Sequence, residues 1–499
     1  MKKRKIALVL AVVMIFCLFA ASCQGQENNN QTSNDENNNS GSLDDGGDTS
    51  DGAPESRASI PDNLPEKDYG EYDFRVYTNE RTDYGDFAQK FAPDSEIGEV
   101  VNDAVFRRNK TVEDRFNINI KTISTGTDQF QHTNKIKTSL LAGEDAFDVA
   151  FVHCIWGPNL TLEGFAYNLL DISVFNFDKP WWQNQTNEEL TIGDKMFLGS
   201  NSIFYAGLAS TKVIYFNRAK IADYALEMPY QIVFDGKWTL DKLVSMTKNL
   251  YEDLNGNGER DKSDFYGYVS FSIHNGFFTA FDIPILEKGG SDVIKIVVNN
   301  EKTINFVEKI YDWYFTSPGV YVTPDYASGW DQDMFANNQA LFAFGRLKDA
   351  PNKYVASNVE YGIVPLPKYD ENQANYRVFS VDEFFMIPTI AHGEALERTA
   401  IILEALSAEG YKQIIPAYYE IALKNKYLQD DESVRVLDLI NDCRTISFSY
   451  VYDNWEGFGH MCGPLFGDNP TRDFSSFYEK RIGSAERRIN AIIKGFTEE

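Results

Sequence analysis

Apolar and polar residues alternate with two different periods in the part of the chain that follows a polar N-terminal segment. Residues 72–77 alternate as a half-buried β-strand does, and residues 118–123 and 147–152 predict two further strands. Between these strands, apolar residues recur at helical spacing over 100–116 and near 136–141. Strands that alternate with helices in this way are typical of parallel βαβ units, so the pattern predicts an α/β fold.

The same alternation continues through the middle of the chain, and helical patterns dominate its end. Strands are predicted at 213–217, 340–344 and 361–367, and a helix is predicted to begin next to Trp238. Apolar residues at helical spacing from Phe474 onward predict a long final helix. We find no internal repeat in the sequence.

The carboxyl ends of the predicted parallel strands indicate where a ligand binds. In open α/β sheets, ligands lie in the crevice beyond these ends. His153 and Trp156 follow the predicted strand 147–152 directly. The sequence therefore predicts that both side chains lie at the ligand-binding edge of the first sheet.

Length and charge narrow the classes of function. The chain has 499 residues, which is enough for two or three domains at roughly 100–200 residues each. It carries 74 acidic and 47 basic side chains, which gives a net charge of −27. Nucleic acids and anionic membrane surfaces attract clustered Lys and Arg, so neither is expected as a partner.

The first residues have the pattern of an export signal. Four basic residues at 2–5 precede an apolar stretch at 6–21, which is shorter than the roughly 20 residues of a membrane span. The residues before Cys23 resemble a bacterial lipobox, although such a box usually carries Leu at the position of Ala20. We expect residues 1–22 to be a cleaved signal peptide, with a retained transmembrane anchor as the alternative. Lipidation of Cys23 would hold the protein on the extracellular face of the cell membrane.

A polar segment separates the predicted lipid site from the first predicted strand. Residues 23–67 begin with Cys23 and are rich in Asn, Asp, Gly and Ser, with almost no large apolar side chain. Such a segment buries too little surface to offset its chain entropy, so we expect a disordered tether.

The cysteines of the body give no sign of a disulfide framework. Cys154, Cys443 and Cys462 are an odd number in a body large enough to fold without disulfides. Free buried thiols are expected, with a bridge between Cys443 and Cys462 as the alternative.

Several segments that occur in the same order carry a resemblance to a known family. They are Ile214-Tyr215-Phe216-Asn217-Arg218 leading to Trp238-Thr239-Leu240, and residues 334–342, 361–368 and 417–438. In these segments the chain resembles the extracellular solute-binding proteins of family 1, the carbohydrate-binding lipoproteins of ABC importers, in a form common in Gram-positive bacteria. The resemblance extends over about residues 70–495.

The resemblance implies a two-lobe α/β fold, the type II fold of periplasmic binding proteins. Each lobe would be a mainly parallel sheet flanked by helices, and a hinge would let the lobes close on a ligand. Crossings between the lobes are expected near 206–209, 344–346 and 390–393. The first lobe would contain residues 68–207 and 346–392, and the second lobe residues 208–345 and 393–499.

The resemblance also implies which residues contact the ligand. In the family, aromatic side chains at the places that match Trp156, Trp330 and Trp455 commonly face the cleft, and core packing is the alternative for each. An aromatic plate with a few polar groups suits a sugar, whose ring has C–H faces and a hydroxyl rim. The polar candidates near strand ends and crossings are His153, Asp331, Arg346, Asp382 and Glu383.

One loop has the ligand spacing of a calcium site. Over residues 253–264, oxygen-bearing side chains stand at loop positions 1, 3, 5, 9 and 12, with Gly at position 6. The predicted ligands are Asp253, Asn255, Asn257, Glu259 through its carbonyl, Asp261 and Asp264. Position 12 is Asp rather than the usual bidentate Glu, and the alternative is a solvated Asn-Gly turn. A calcium ion bound here would have a structural role.

The sequence contains no recognisable catalytic motif. It lacks G-x-S-x-G, H-E-x-x-H and the phosphate-binding loop, and its five histidines are scattered. Together with the resemblance, which implies capture of an oligosaccharide and its delivery to an ABC permease, this leads us to expect a monomeric binding protein with no enzymatic activity and no catalytic cofactor. The alternatives are a surface-anchored glycan hydrolase, since 74 acidic residues leave room for a carboxylate pair, and a glycan sensor or adhesin without a permease.

Overall fold

The computed structural model describes residues 57–79, 91–126, 128–289, 293–323, 329–381, 383–422, 430–452 and 457–497. The strands of this part are β1 Tyr72–Thr78, β2 Ile118–Ser124, β3 Val149–His153, β4 Lys212–Asn217, β5 Tyr251–Glu252, β6 Phe265–Ser270, β7 Leu286–Gly289, β8 Val293–Ile296, β9 Val320–Val322, β10 Ala340–Arg346, β11 Tyr361–Pro365, β12 Val378–Phe379, β13 Glu383–Met386 and β14 Arg444–Thr445. The helices are α1 Val100–Phe116, α2 Gln129–Leu141, α3 Pro158–Leu162, α4 Asn184–Leu190, α5 Ala206–Ser210, α6 Arg218–Asp223, α7 Pro229–Phe234, α8 Leu240–Thr247, α9 Gly276–Ala280, α10 Glu301–Tyr311, α11 Trp330–Ala336, α12 Glu394–Glu409, α13 Ile415–Ala422, α14 Asp431–Asp442, α15 Phe448–Tyr452, α16 Cys462–Phe466 and α17 Phe474–Thr497.

The first sheet is built from the βαβ units that the sequence predicts. Its strand order is β13–β3–β1–β2, with β1 parallel to both β2 and β3. β13 joins the other edge antiparallel to β3, and this register places Glu383 opposite His153. Phe74 and Val76 of β1 are fully buried against α1, which also packs on β2. The predicted strands at 72–77, 118–123 and 147–152 are confirmed.

The second sheet has the order β11–β4–β10–β6–β5, and β9 pairs with β6. β10 is parallel to β6 and antiparallel to β4, so that Phe342 lies opposite Phe216. Every residue of β4 and β6 is buried. A central strand covered on both faces takes a continuous apolar run, which explains why the sequence of β4 does not alternate.

Several segments of the described chain pass between the two sheets. The chain reaches β4 through α5, which agrees with the crossing predicted near 206–209. It returns through β12, which lies between β11 and β13 in sequence and pairs in parallel with β14. β14 in turn follows α14, which packs on β11, and precedes α15, which packs on α3. The hydroxyl of Ser380 donates to the carbonyl of Gly207 at 2.6 Å, so the first two crossings lie side by side.

Two of the predicted crossings do not agree with these pairings. Residues 344–346 belong to β10, which stays paired with β4 up to Arg346 opposite Lys212. β11 then pairs with the other side of β4, so the segment 346–392 is not wholly in the first lobe. Near 390–393 the chain enters α12, which packs on α1 of the first lobe instead of opening the second. Both differences have the same cause. A segment belongs to the lobe whose strands or helices it packs against, and these contacts join residues that are distant in sequence.

The three cysteines of the body are free and buried, as expected from their odd number. Within the described residues, no helix combines the length and the apolar sequence needed to cross a bilayer.

Candidate functional site

His153 and Glu383 meet at the carboxyl edge of the first sheet. His153 ends β3 and Glu383 opens β13, and both side chains are buried. The backbone N–H of Ile155 donates to Nδ1 of His153 at 3.1 Å, so this nitrogen carries no proton. Nε2 of Gln129, the first residue of α2, donates to Oε1 of Glu383 at 3.3 Å. The helix that follows β2 therefore helps to hold the Glu383 carboxylate in place.

Asp331, Arg346 and Asp349 lie together at the corresponding edge of the second sheet. Arg346 ends β10, and its backbone N–H donates to Oδ2 of Asp349 at 2.8 Å while its Nε lies 3.8 Å from Oδ1. Burial raises the pKa of Asp331 to about 6, with a further contribution from the Asp349 carboxylate and an opposing one from Arg346. Lys212, at the start of β4, is also buried and donates to the carbonyl of Ser210 at 3.0 Å. This edge therefore holds both cations and carboxyl groups with little access to water.

A cluster of rings joins the second sheet to the crossing strands. His274 follows β6 and stacks on Phe344 with 5.6 Å between ring centroids, and it lies 5.2 Å from Phe379 of β12. Tyr450 of α15 continues the cluster at 4.9 Å from Phe379. Burial, together with the cations Lys212 and Arg346, holds the pKa of His274 well below its usual range. The imidazole is therefore neutral at pH 7 and acts as a hydrogen-bonding aromatic group.

Several buried polar atoms at the strand ends lack hydrogen-bond partners among the described residues. They are Oγ1 of Thr78, both amide atoms of Asn79, Oε1 of Gln129 and Oγ1 of Thr323. Asn79 directly follows β1, and Thr323 directly follows β9. Each of these residues is at most 4% exposed. Unpartnered buried atoms also occur away from the strand ends among the described residues, for example at Asn201 and Thr303, but at Asn79 both atoms of one amide lack a partner. A buried amide in this situation costs about 1–3 kcal/mol.

The predicted aromatic residues lie in different surroundings. Trp156 is half-buried between α2 and α3, and its ring meets the exposed ring of Phe130 edge-on at 5.7 Å. Trp330 begins α11, and Nζ of Lys262 lies 4.1 Å from its ring centroid. The other two candidates, Asp382 and Trp455, lie outside the described residues, as does Cys23. Ligand contact by the predicted residues stays a prediction.

Sequence reasoning missed several polar residues of these two edges. The sequence could have predicted Asn79, because this residue directly follows β1 and so lies at the carboxyl end of a parallel strand, as His153 does at the end of β3. His274 gave no usable signal, since its neighbours Phe344 and Phe379 are distant in sequence. Trp181 and Trp182 are buried in the first lobe and belong to its core.

A cavity of about 950 Å³ is lined by none of the residues described above. It is lined by α4, the start of α10 and residues 369–377 before the second crossing. Its cations already have partners, because Arg377 pairs with Glu189 and lies 3.6 Å from Asp282, and Lys288 donates to backbone carbonyls of α4. These contacts link α4 to the segment that leads into β12.

The loop 253–264 is held by hydrogen bonds from its own backbone. The carboxylate of Asp253 accepts from the N–H groups of Gly256 at 2.7 Å and Gly258 at 2.9 Å. The buried carboxylate of Asp264 accepts from the Tyr251 hydroxyl at 3.1 Å and from two backbone N–H groups. No group of three or more His, Cys, Asp or Glu side chains in the described ranges is gathered closely enough to hold a metal ion. The predicted calcium site relies on amide and carbonyl oxygens as well, and it stays a prediction.

Comparison with known proteins bears on the fold. No family model matches the chain, and no curated protein matches it. Among solved structures, a cyclo/maltodextrin-binding protein complexed with maltotetraose is 15% identical, with a TM-score of 0.52 over 87% of this chain and 98% of that one. An ABC-transporter solute-binding protein from Thermotoga lettingae bound with α-D-tagatose is 16% identical, with a TM-score of 0.49 over 85% of this chain and 100% of that one. The first similarity covers 87% of this chain and 98% of the other, and we conclude that this chain has the two-lobe α/β fold of that binding protein.

Proposed function

We propose that the protein captures a carbohydrate, most simply an oligosaccharide, between its two lobes and delivers it unchanged to an ABC permease. The observation that carries this proposal is the amide of Asn79, which is buried at a strand end and has no hydrogen-bond partner among the described residues. An amide offers both a donor and an acceptor, and a sugar hydroxyl can satisfy both. A neutral polyhydroxyl ligand therefore complements this edge better than a purely apolar or a purely anionic one.

Closure of the lobes would follow from contacts that the ligand makes with both of them. The first lobe offers Asn79, the His153–Glu383 pair and Gln129, and the second offers the Asp331–Arg346 group. A ligand shifts a conformational equilibrium only by its difference in affinity for the two states. A sugar that bridges both edges binds the closed state better, and an aromatic face beside it adds stacking on the C–H groups of the ring.

The place of action that we propose follows from the N-terminal sequence. Lipidation of Cys23 would attach the protein to the outer face of the cell membrane, and residues 24–56 would act as the spacer. The rest of the predicted tether, residues 57–67, is not part of the spacer, because Asp62 pairs with Arg115 of α1 and Lys67 with Glu397 of α12. A permease in the same membrane would then receive the ligand from a tethered monomer. The predicted calcium ion of loop 253–264 would stabilise the second lobe and take no part in transport.

A binding screen combined with analysis of the recovered ligand tests this function. The purified protein is screened by thermal unfolding against neutral mono- and oligosaccharides, and each binder is recovered and weighed by mass spectrometry. A true ligand at 100 times its dissociation constant adds about 2.7 kcal/mol to the free energy of unfolding. We expect saturable binding with the ligand recovered intact. Release of shorter sugars would support a hydrolase instead, and the absence of any binding sugar would overturn the proposal.

A further inference from the structure

A second pocket, separate from the strand edges, lies on the flank of the second lobe. It has a volume of about 330 Å³ and lies between α11 and the end of the loop 253–264. Neither Asp331 nor Arg346 lines it, although Trp330 does. Adjacent residues of an α-helix point about 100° apart, so Trp330 and its neighbour Asp331 face different surroundings. This explains how one residue lines the flank pocket while the next is buried beside Asp349.

One wall of the flank pocket is a continuous face of α11. Trp330 and Asp333 line it from one side of the helix at a spacing of i and i+3, and Asn337, which follows the last residue of α11, lines it as well. Asp333 forms an ion pair with Lys353 and remains about half exposed. This wall therefore offers an indole ring, a carboxylate and an amide.

The opposite wall is fixed by hydrogen bonds. Nε2 of Gln339 donates to the carbonyl of Lys262 at 3.1 Å, and the N–H of Ser263 donates to Asp261 at 2.6 Å. Lys262 extends its ammonium group to 4.1 Å from the Trp330 ring centroid. Because these contacts hold the wall in place, the pocket is formed before any ligand arrives, which lowers the entropic cost of binding.

The chemistry of the two walls suits a sugar ring. The indole supplies an apolar plate over which the Lys262 ammonium lies, and Asp333 supplies an acceptor for hydroxyl groups beside its ion pair with Lys353. The Asn337 amide supplies a donor. The volume is at the lower end of the roughly 300–1,000 Å³ typical of small-molecule sites. We propose that this flank pocket is a second carbohydrate site, which binds one or two rings of a neutral glycan outside the interlobe cleft.

Fluorine NMR on the complete mature protein tests the flank site. The protein contains seven tryptophans, so labelling with 5-fluorotryptophan gives one signal for each, and Trp330→Phe identifies the Trp330 signal by its loss. The probes are maltotetraose, cellotetraose, xylotetraose and mannotetraose. We expect at least one of them to shift the Trp330 signal saturably, with an affinity about tenfold lower in the double variant Asp333→Ala, Asn337→Ala. The matched control is Gln332→Ala, which lies on the same helix outside the pocket and should leave the shift unchanged.

The outcomes also separate this site from the cleft. A Trp330 shift that the double variant leaves unaltered would report lobe closure and would overturn the flank site, as would the absence of a shift with all four sugars. If the Trp330 signal responds while no sugar binds in the cleft, the flank site stands and the transport proposal fails. Thermal unfolding of each variant confirms that the substituted chains remain folded.

Discussion

Asn79 and Asn109 are both buried asparagines, but their amides are in opposite situations. Asn109 donates to the carbonyl of Phe91 at 2.8 Å and accepts from Nε of Arg108 at 2.7 Å. Neither amide atom of Asn79 has a partner within the described ranges. At the scale of single residues, this contrast separates a side chain that completes the core from one that we propose to bind a polar ligand.

The contrast predicts opposite effects of two matched substitutions. Asn79→Ala should leave the free energy of unfolding unchanged or raise it by up to about 1 kcal/mol, because it removes an uncompensated buried amide, and it should weaken sugar binding about tenfold. Asn109→Ala should cost about 1–3 kcal/mol of stability and leave affinity unchanged. Urea unfolding and calorimetric titration measure both quantities. Equal losses of stability in the two variants, with normal affinity, would remove Asn79 from the site.

Glu404 is a buried carboxyl whose protonation affects stability. It lies in α12, and Nε1 of Trp181 donates to its Oε1 at 2.7 Å. Burial raises the pKa of Glu404 from 4.5 to about 7, against the opposing effect of the Trp181 hydrogen bond. Between these two values the folded protein holds a proton that the unfolded chain has lost. The contribution of Glu404 to stability is therefore complete below pH 4.5 and is lost as the pH rises through 7.

This linkage predicts a pH dependence that one substitution removes. Relative to Glu404→Gln, the wild type should lose about 2–3 kcal/mol of unfolding free energy between pH 5 and pH 7, at about 1.4 kcal/mol per pH unit. Gln keeps an oxygen for Trp181 but does not titrate. Urea unfolding at several pH values measures the difference, with the half-exposed Glu397→Gln on the same helix as the control. Parallel pH profiles for the wild type and Glu404→Gln would contradict the assignment.

At the scale of elements, the sequence predicts the regular strands and helices but not how they connect. The periodic patterns of β1, α1 and α17 are long and are confirmed. β12 and β14 have only two residues each, which is too short for any period, and their pairing depends on contacts distant in sequence. The same limit applies to the candidate site. The sequence predicts which residues end a strand, but it does not predict that Asp331 lies beside Arg346 and Asp349.

Gly319 marks a close approach between two elements of the second lobe. A Cβ atom at Gly319 would lie 1.9 Å from the carbonyl oxygen of Thr247, the last residue of α8. Gly319→Ala should therefore lower the free energy of unfolding by about 1–3 kcal/mol, because backbone atoms must move. Gly483→Ala, inside α17, meets only the tip of Arg487 at 3.9 Å and should raise it by up to about 1 kcal/mol. Urea unfolding measures both changes in the free energy of unfolding. Changes of the same sign in the two variants would contradict this packing.

The loop 253–264 predicts a response to calcium. Calcium at ten times its dissociation constant should add about 1.4 kcal/mol to the free energy of unfolding, and a chelator should remove this gain. Asp253→Ala should abolish the calcium-dependent increment, whatever it does to the starting stability. Asp223→Ala, an exposed carboxylate outside the loop, should keep it. A wild-type melting temperature that calcium does not change would leave the loop as a solvated turn.

At the scale of the whole molecule, the proposed capture of a sugar requires two lobes that change their separation when a ligand binds. The segments that join the lobes include α5, β12 and β14, and the polar edges of both sheets lie next to these crossings. Short crossing segments of this kind allow a hinge motion with little change inside each lobe. The three buried cysteines leave the surface open to selective labelling at introduced thiols.

The most direct test is the distance between spin labels on the two lobes, measured by pulsed electron resonance with and without ligand. Labels at Lys121→Cys and Asp223→Cys, both exposed positions, are placed in a Cys23→Ser background. We predict that a sugar identified by the binding screen shifts the distribution of distances between the labels. The shift should be half complete at the sugar concentration at which binding is half complete. An unchanged distribution at saturating ligand would contradict capture by lobe closure.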